Sequence, residues 1–236
     1  MLPHTRAKFD NDLQRLSRLV AEMGGLAEQQ LLHAFKALSE RNVRLAGEVI
    51  GRDCAVDAFH SEIEKESVNI IAQCQPLAVD LRATVSALHI SDDLERIGDL
   101  AKNVSKRVIE IGLEVIPKSI IRGLEHMTKM VLGQIQEALD SYASRDIDQA
   151  LAVRNGDQKV DALNNSLFHE TLRHMEIDPH HIAVCTHILF CIKNLERIGD
   201  HATNIAEMVY YIGTGHVPTD ERPKTDTTGF RRRLHS

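Results

Sequence analysis

The sequence predicts an all-α protein made of two tandem three-helix bundles, six long helices related by internal duplication. Three observations carry that reading. The hexapeptide Leu-Glu-Arg-Ile-Gly-Asp occurs at Leu94–Asp99 and again at Leu195–Asp200, 101 residues apart. Apolar residues recur at helical spacing along most of the 236-residue chain, while strand-like alternation is scarce. Hydrophobic residues make up 43% and aromatic residues 4%, with no Trp, so the core must come from Leu, Ile, Val and Ala, as helix-on-helix packing allows.

The first helix is expected from about Thr5 to Ser39, with Leu13, Leu16, Leu19/Val20, Met23, Leu26/Ala27, Leu31, Ala34/Phe35 and Leu38 on its apolar stripe. Gly24-Gly25 inside it costs about 1 kcal/mol per Gly relative to Ala, or marks a kink. A second helix is expected from Val43 to Cys74, ended by Pro76. The third begins just after Pro76, a proline at an N1-like position, and carries Leu94–Asp99 near its middle. Pro117 separates the halves. The fourth helix covers Lys118 to Tyr142, Arg145-Asp146 turns the chain, and the fifth runs from Ile147 to Met175. Asp178-Pro179 breaks it again, and the sixth spans His180 to Ile212 with Leu195–Asp200 inside it. The first repeat is therefore 5–115 and the second 118–213. The polar stretch 214–236, with Arg231-Arg232-Arg233 near its end, reads as a disordered tail.

Carboxylates are duplicated along with the helices. Asp53-x-x-Val56-Asp57-Ala58 matches Asp157-x-x-Val160-Asp161-Ala162 at an offset of 104, and Glu95/Asp99 match Glu196/Asp200 at 101. Each pair is spaced four apart, which places both acids on one face of a helix. Like charges at that spacing destabilise a helix by a few tenths of a kcal/mol unless a cation joins them, so a positive partner is expected in both halves. Consecutive helices run antiparallel, and at about 1.5 Å per residue the pairs on either side of Pro76, and of Pro179, reach similar heights. Four carboxylates then converge in each half, with Asn103 and Asn204 one turn further along. An oxygen-only ligand set suits hard or borderline cations such as Mg²⁺, Mn²⁺ or Fe. The alternative is a solvated acidic face paired with neighbouring Lys and Arg. Gly98 and Gly199, repeated inside helices, suggest close approach of another helix or a ligand, and Arg96 and Arg197 suit salt bridges within the bundle.

Bulk properties exclude several classes. A net charge of −6 argues against nucleic acid as a partner. The longest apolar run, Ile182 to Ile192, contains His187 and is too short to span a bilayer. Cys54, Cys74, Cys185 and Cys191 lack C-x-x-C spacing and read as reduced, mostly buried thiols of a cytosolic protein. Di-iron carboxylate enzymes place Glu-x-x-His on their helices. Here Asp57-x-x-His60 is matched by Asn164 in the second repeat, so that feature is not duplicated, and His180, His181, His187 and His201 read as surface or satisfied residues. No G-x-S-x-G, P-loop or H-E-x-x-H pattern occurs. On the residues alone, the chain is an all-α, duplicated, metal-binding protein, and both a metal-dependent helical-bundle enzyme and a purely structural helical scaffold remain open.

The duplicated hexapeptide, the paired acidic motifs, Ala21–Leu31 (AEMGGLAEQQL) and Gln75–Arg82 (QPLAVDLR) together resemble the PhoU family of phosphate-specific transport accessory proteins, over roughly Phe9 to Gly213. The resemblance implies a PhoU-like helical fold and a cytoplasmic, non-enzymatic negative regulator of the phosphate-starvation response. Such a protein would link the ATPase subunit of the phosphate ABC transporter to a sensor histidine kinase of a two-component system. It would restrain uptake when phosphate is plentiful and reach the membrane only through those partners. It also implies metal at Asp53, Asp57, Glu95 and Asp99 and at Asp157, Asp161, Glu196 and Asp200, in multinuclear Fe or Zn clusters, with Mg or Mn as further options. Long exposed helical faces suit a homodimer.

Overall fold

A computed structural model of the protein describes residues 3–219. It is all-α. Along the chain come α1 (Pro3–Glu40), α2 (Val43–Arg52), α3 (Cys54–Cys74), α4 (Val79–Ile111), α5 (Lys118–Ser144), α6 (Ile147–Gly156), α7 (Gln158–Ile177) and α8 (Ile182–Thr214), with a 3-10 turn at Pro179–His181 before the last. Of the expected tail, 220–236, including Arg231–Arg233, lie outside the described residues.

Two of the six expected helices are each divided in two. The expected 43–74 helix is α2 and α3, which meet at Asp53, and the expected 147–175 helix is α6 and α7, which meet at Asp157. Both aspartates keep right-handed helical dihedrals, so the chain bends there without a turn sequence. No proline or glycine pair marks either bend, and that is why periodicity alone predicts one helix. Gly24-Gly25, by contrast, does not interrupt α1. Gly24 instead lets α5 come close: a Cβ there would stand 2.4 Å from Leu139 Cδ1.

Local chemistry sets the ends. Asn42 caps α2 by accepting from the Leu45 N–H at 3.0 Å, and Asp146 caps α6 by accepting from the Gln149 N–H at 3.0 Å. Arg145 adopts the left-handed conformation after α5, making the tight turn expected at Arg145-Asp146. After α3, Gln75 and Ala78 both have positive φ around Pro76 and Leu77, and α4 starts only at Val79, so Pro76 is a buried link rather than a first-turn proline.

The core runs without a break through both repeats, from Leu16 and Met23 in α1 through Leu94 and Ile97 in α4 to Leu124 and Met127 in α5 and Ile188 to Ile205 in α8. The central layer is α4 against α8, flanked by α1 and α5, with the bent pairs α2/α3 and α6/α7 packed outside. α4 and α8 are antiparallel: Arg82 near the start of α4 donates to the Ile212 carbonyl near the end of α8 at 3.1 Å, and Arg107 lies 5.4 Å from the Phe190 ring centre. Burial pushes the Cys191 thiol up to about 12, and Cys54 is the exposed one of the four free cysteines.

Candidate functional site: the paired carboxylate clusters

In the first repeat the bend at Asp53 delivers a buried aspartate to the face of α4. Asp53 is 6% exposed. One of its oxygens, Oδ1, accepts from Gln30 Nε2 of α1 at 2.8 Å, and the other is bonded by the Lys102 ammonium of α4. Lys102 also donates to Asp99 Oδ1 at 2.6 Å. Burial alone would lower the pKa of Lys102, but its bonds to Asp53 and Asp99 outweigh that and hold it above the ordinary lysine range. Gly98 makes the approach possible, since a Cβ there would stand 3.2 Å from Gln30 Oε1 and 3.4 Å from Val56 Cγ1.

The other two acids lie at the edge of this arrangement. Burial raises the pKa of Glu95; Arg96 and His60 oppose the rise, while Asp99 and Asp57 add to it. Arg96 reaches Glu95 at 3.4 Å and Asp99 at 3.7 Å, the intrabundle pairing expected of it. Asp57 is exposed, and His60 turns to Asp92 at 2.9 Å. The four predicted acids of the first repeat thus share one electrostatic neighbourhood, and Asp53 and Asp99 are joined through one lysine.

The second repeat copies the scaffold and alters the details. Gln134 takes the place of Gln30, with its amide 3.5 Å from Asp157 Oδ1, and a Cβ on Gly199 would meet Gln134 Oε1 at 3.1 Å. Here three of the acids are deeply buried: Asp157 at 7%, Asp161 at 5% and Glu196 at 6% exposed. Lys193 donates to Glu196 at 2.8 Å. At the position of Lys102 stands Thr203, whose hydroxyl donates to the Gly199 carbonyl at 3.0 Å. Burying charge this deeply is costly unless it is compensated, so the second cluster depends more strongly on its partners than the first.

The two asparagines expected to extend the acidic faces make other bonds. Asn103 Oδ1 accepts from Lys106 at 3.4 Å. Asn204 Nδ2 donates to Asp93 of α4 at 3.1 Å, and His201 Nδ1 lies 2.8 Å from the same oxygen. Asp93 therefore fastens one repeat to the other. Its equivalent in the second repeat is Asn194, so the bond is not duplicated, and no repeat argument points to it. Gln30 and Gln134 are legible by contrast: they are 104 apart, as Asp53 and Asp157 are.

As donors, the carboxylates suit a hard or borderline cation. As placed, the first cluster does not fit one, because the Lys102 ammonium stands between Asp53 and Asp99. Among the described residues no three His, Cys, Asp or Glu side chains draw together closely enough to hold a metal ion.

Two segments of the chain, 20–108 and 124–209, match the profile of the PhoU domain. The chain belongs to the PhoU family. It is 47% identical over 225 residues to the phosphate-specific transport system accessory protein PhoU homolog of Rhizobium meliloti, covering 95% of both chains. To the Caulobacter vibrioides protein of the same description it is 44% identical over 227 residues, covering 96% of this chain and 98% of that one. Its fold is similar to the crystal structure of PhoU from Pseudomonas aeruginosa, with TM-score 0.84, 36% identity, and coverage of 88% of this chain and 100% of that one. It is also similar to the phosphate transport system regulatory protein PhoU of Streptococcus pneumoniae, with TM-score 0.83, 26% identity, and coverage of 89% and 99%. Both PhoU domains end before the tail, and each spans one set of duplicated acids. No helix among the described residues is long and apolar enough to cross a membrane.

Proposed function

We propose that the protein is a cytoplasmic, non-enzymatic negative regulator of the phosphate-starvation response. It acts as an adaptor between the ATPase subunit of the phosphate ABC transporter and the sensor histidine kinase that controls the response, and it restrains uptake when phosphate is plentiful. The observation that carries this reading is the full-length match to proteins described as phosphate-specific transport accessory proteins, 47% identical over 95% of both chains. The architecture suits the role. A continuous core under long helices gives a stiff body whose outer faces can meet partner helices, and a homodimer would extend those faces.

In this reading the duplicated acids Asp53, Asp57, Glu95 and Asp99, and Asp157, Asp161, Glu196 and Asp200, are the candidate metal ligands, Fe or Zn by family resemblance and Mg or Mn by donor chemistry, and the first set would have to release Lys102 from Asp53 and Asp99 to take an ion. A bound ion would neutralise clustered charge and so stiffen the junction of each bent helix with α4 or α8. The protein's own part is to hold the acids there: Gln30 and Gln134 orient Asp53 and Asp157, and Gly98 and Gly199 admit them.

The test is genetic. Deleting the gene in its host should switch on phosphate-starvation reporters in phosphate-rich medium and raise phosphate uptake, and a plasmid copy should restore repression. Reporters that stay silent in the deletion strain would refute negative regulation.

A further inference from the structure

We propose that one end of the molecule, where α1 meets the link between α4 and α5, binds the surface of an anionic lipid bilayer directly. The contact is made by Arg41, Lys118 and Arg122 around the exposed side chains of Leu113 and Val115. This extends the regulatory reading, whose partners work at a membrane: the chain then meets that membrane itself and not only through them.

α1 and α5 run antiparallel, with Gly24 beside Leu139 and Ser17 bonded to Tyr142, and an open cleft lies at each end of their seam. The duplication relates the two clefts. Arg18 and Arg41 match Arg122 and Arg145 at an offset of 104, and each cleft takes one arginine from either repeat. Around that shared pair the clefts have diverged. At the Tyr142 end the walls include Asp10 and Asp80, with Gln14 and Ser17 on α1. At the other end, in a cleft of about 440 Å³, Lys118 and Ile121 stand in place of Gln14 and Ser17. No carboxylate among the described residues lines it.

The apolar part of this end is exposed. Ile116 is buried and anchors the link after α4, while Leu113 is 83% and Val115 69% exposed. Arg41, at φ +53°, donates to the Leu113 carbonyl at 3.3 Å and so fastens the link beside the cations. Among the described residues, Arg41, Lys118 and Arg122 have no ion-pair partner, although the chain carries a net charge of −6. Unpaired cations beside exposed aliphatics suit the headgroup boundary of a bilayer, where lipid phosphates meet the cations and the side chains enter the acyl edge. An acidic protein segment would satisfy the cations but not two aliphatic side chains this exposed. Glu40 and Glu114 border the patch and oppose the contact, so it orients the chain on the surface rather than anchoring it.

The experiment is co-sedimentation of the purified full chain with phosphatidylcholine vesicles, with and without about one-third phosphatidylglycerol. Wild type should sediment with the anionic vesicles alone, and raising NaCl from about 0.05 M to about 0.5 M should release it. K118Q combined with R122Q should weaken partitioning about 25-fold, at about fivefold per cation. L113S combined with V115S should weaken it about tenfold with no change in charge, and E114Q should strengthen it. R18Q combined with R145Q removes the same charge from the matched cleft and should leave binding unchanged. All of these side chains are exposed, and circular dichroism checks that each variant folds. Wild type that stays in solution with anionic vesicles at low salt would overturn the proposal. So would an equal loss in the R18Q/R145Q and K118Q/R122Q chains, which would make net charge decisive rather than this cleft. Vesicles left unbound while a poly-glutamate peptide binds, and is lost in K118Q/R122Q, would overturn it in favour of an acidic protein segment. The vesicles hold no protein, so failure here is distinct from failure of the regulatory role, which the reporters read.

Discussion

Glu95 carries a carboxyl whose ionisation the fold opposes. Burial holds its pKa above the ordinary carboxylate range, and Asp99 and Asp57 add to the rise against the pull of Arg96 and His60. Because the folded value lies above the unfolded one, the penalty is present in full above the folded pKa. It is relieved as pH falls through that value and is gone below the unfolded pKa. Glu95→Gln should therefore raise the melting temperature by about 1–2 °C at about pH 7, with the gain fading by about pH 4. A gain that grows in acid would show that the charge is favoured instead. The sequence offers a partial account of this neighbourhood. The duplicated spacing exposes the acids and calls for a cation, but Lys102 is outside the repeat pattern. Nothing in a one-dimensional string says that the bend at Asp53 brings its carboxylate to Lys102.

The helices show why their lengths are legible and their bends are not. Apolar periodicity, Pro117, Asp178-Pro179 and the Arg145-Asp146 turn place six long segments close to where the structure has them. The bends at Asp53 and Asp157 escape because each residue stays helical in its dihedrals and only the hydrogen-bond ladder changes. The glycines are ambiguous in the other direction, since the Gly24-Gly25 pair reads either as a propensity cost or as a kink, and α1 is continuous through it. Their neighbours separate them. A methyl added at Gly25 would meet nothing within 4 Å, so Gly25→Ala should gain about 0.5–1 kcal/mol, about 2–3 °C in melting temperature. Gly98 faces Gln30 Oε1 at 3.2 Å, and that amide is anchored on Asp53, so it cannot give way. Gly98→Ala should lose about 1–2 kcal/mol despite its better helix propensity. Thermal melts of the two variants check both signs, and a stabilised Gly98→Ala would mean that the Gln30–Asp53 bond is not rigid.

The two repeats act as one body because their contacts are shared. α4 and α8 pack along their length, Arg82 bonds the end of α8, Asp93 takes His201 and Asn204, and Arg107 covers Phe190. These bonds differ between the halves, so duplication predicts two similar bundles but not the fastening between them. A stiff two-repeat body is what an adaptor requires, since partners on separate faces can then be held in fixed relation. In the proposed function a metal ion would bias that stiffness, most strongly where the acids are most deeply buried, in the second repeat. The measurement to make is the affinity of the purified full chain for the ATPase subunit of its host's phosphate transporter, with and without chelator. Saturable binding that weakens when metal is removed is the expected result. Binding indifferent to chelation would contradict the metal-tuned part, and no binding in either condition would contradict the adaptor role at the transporter.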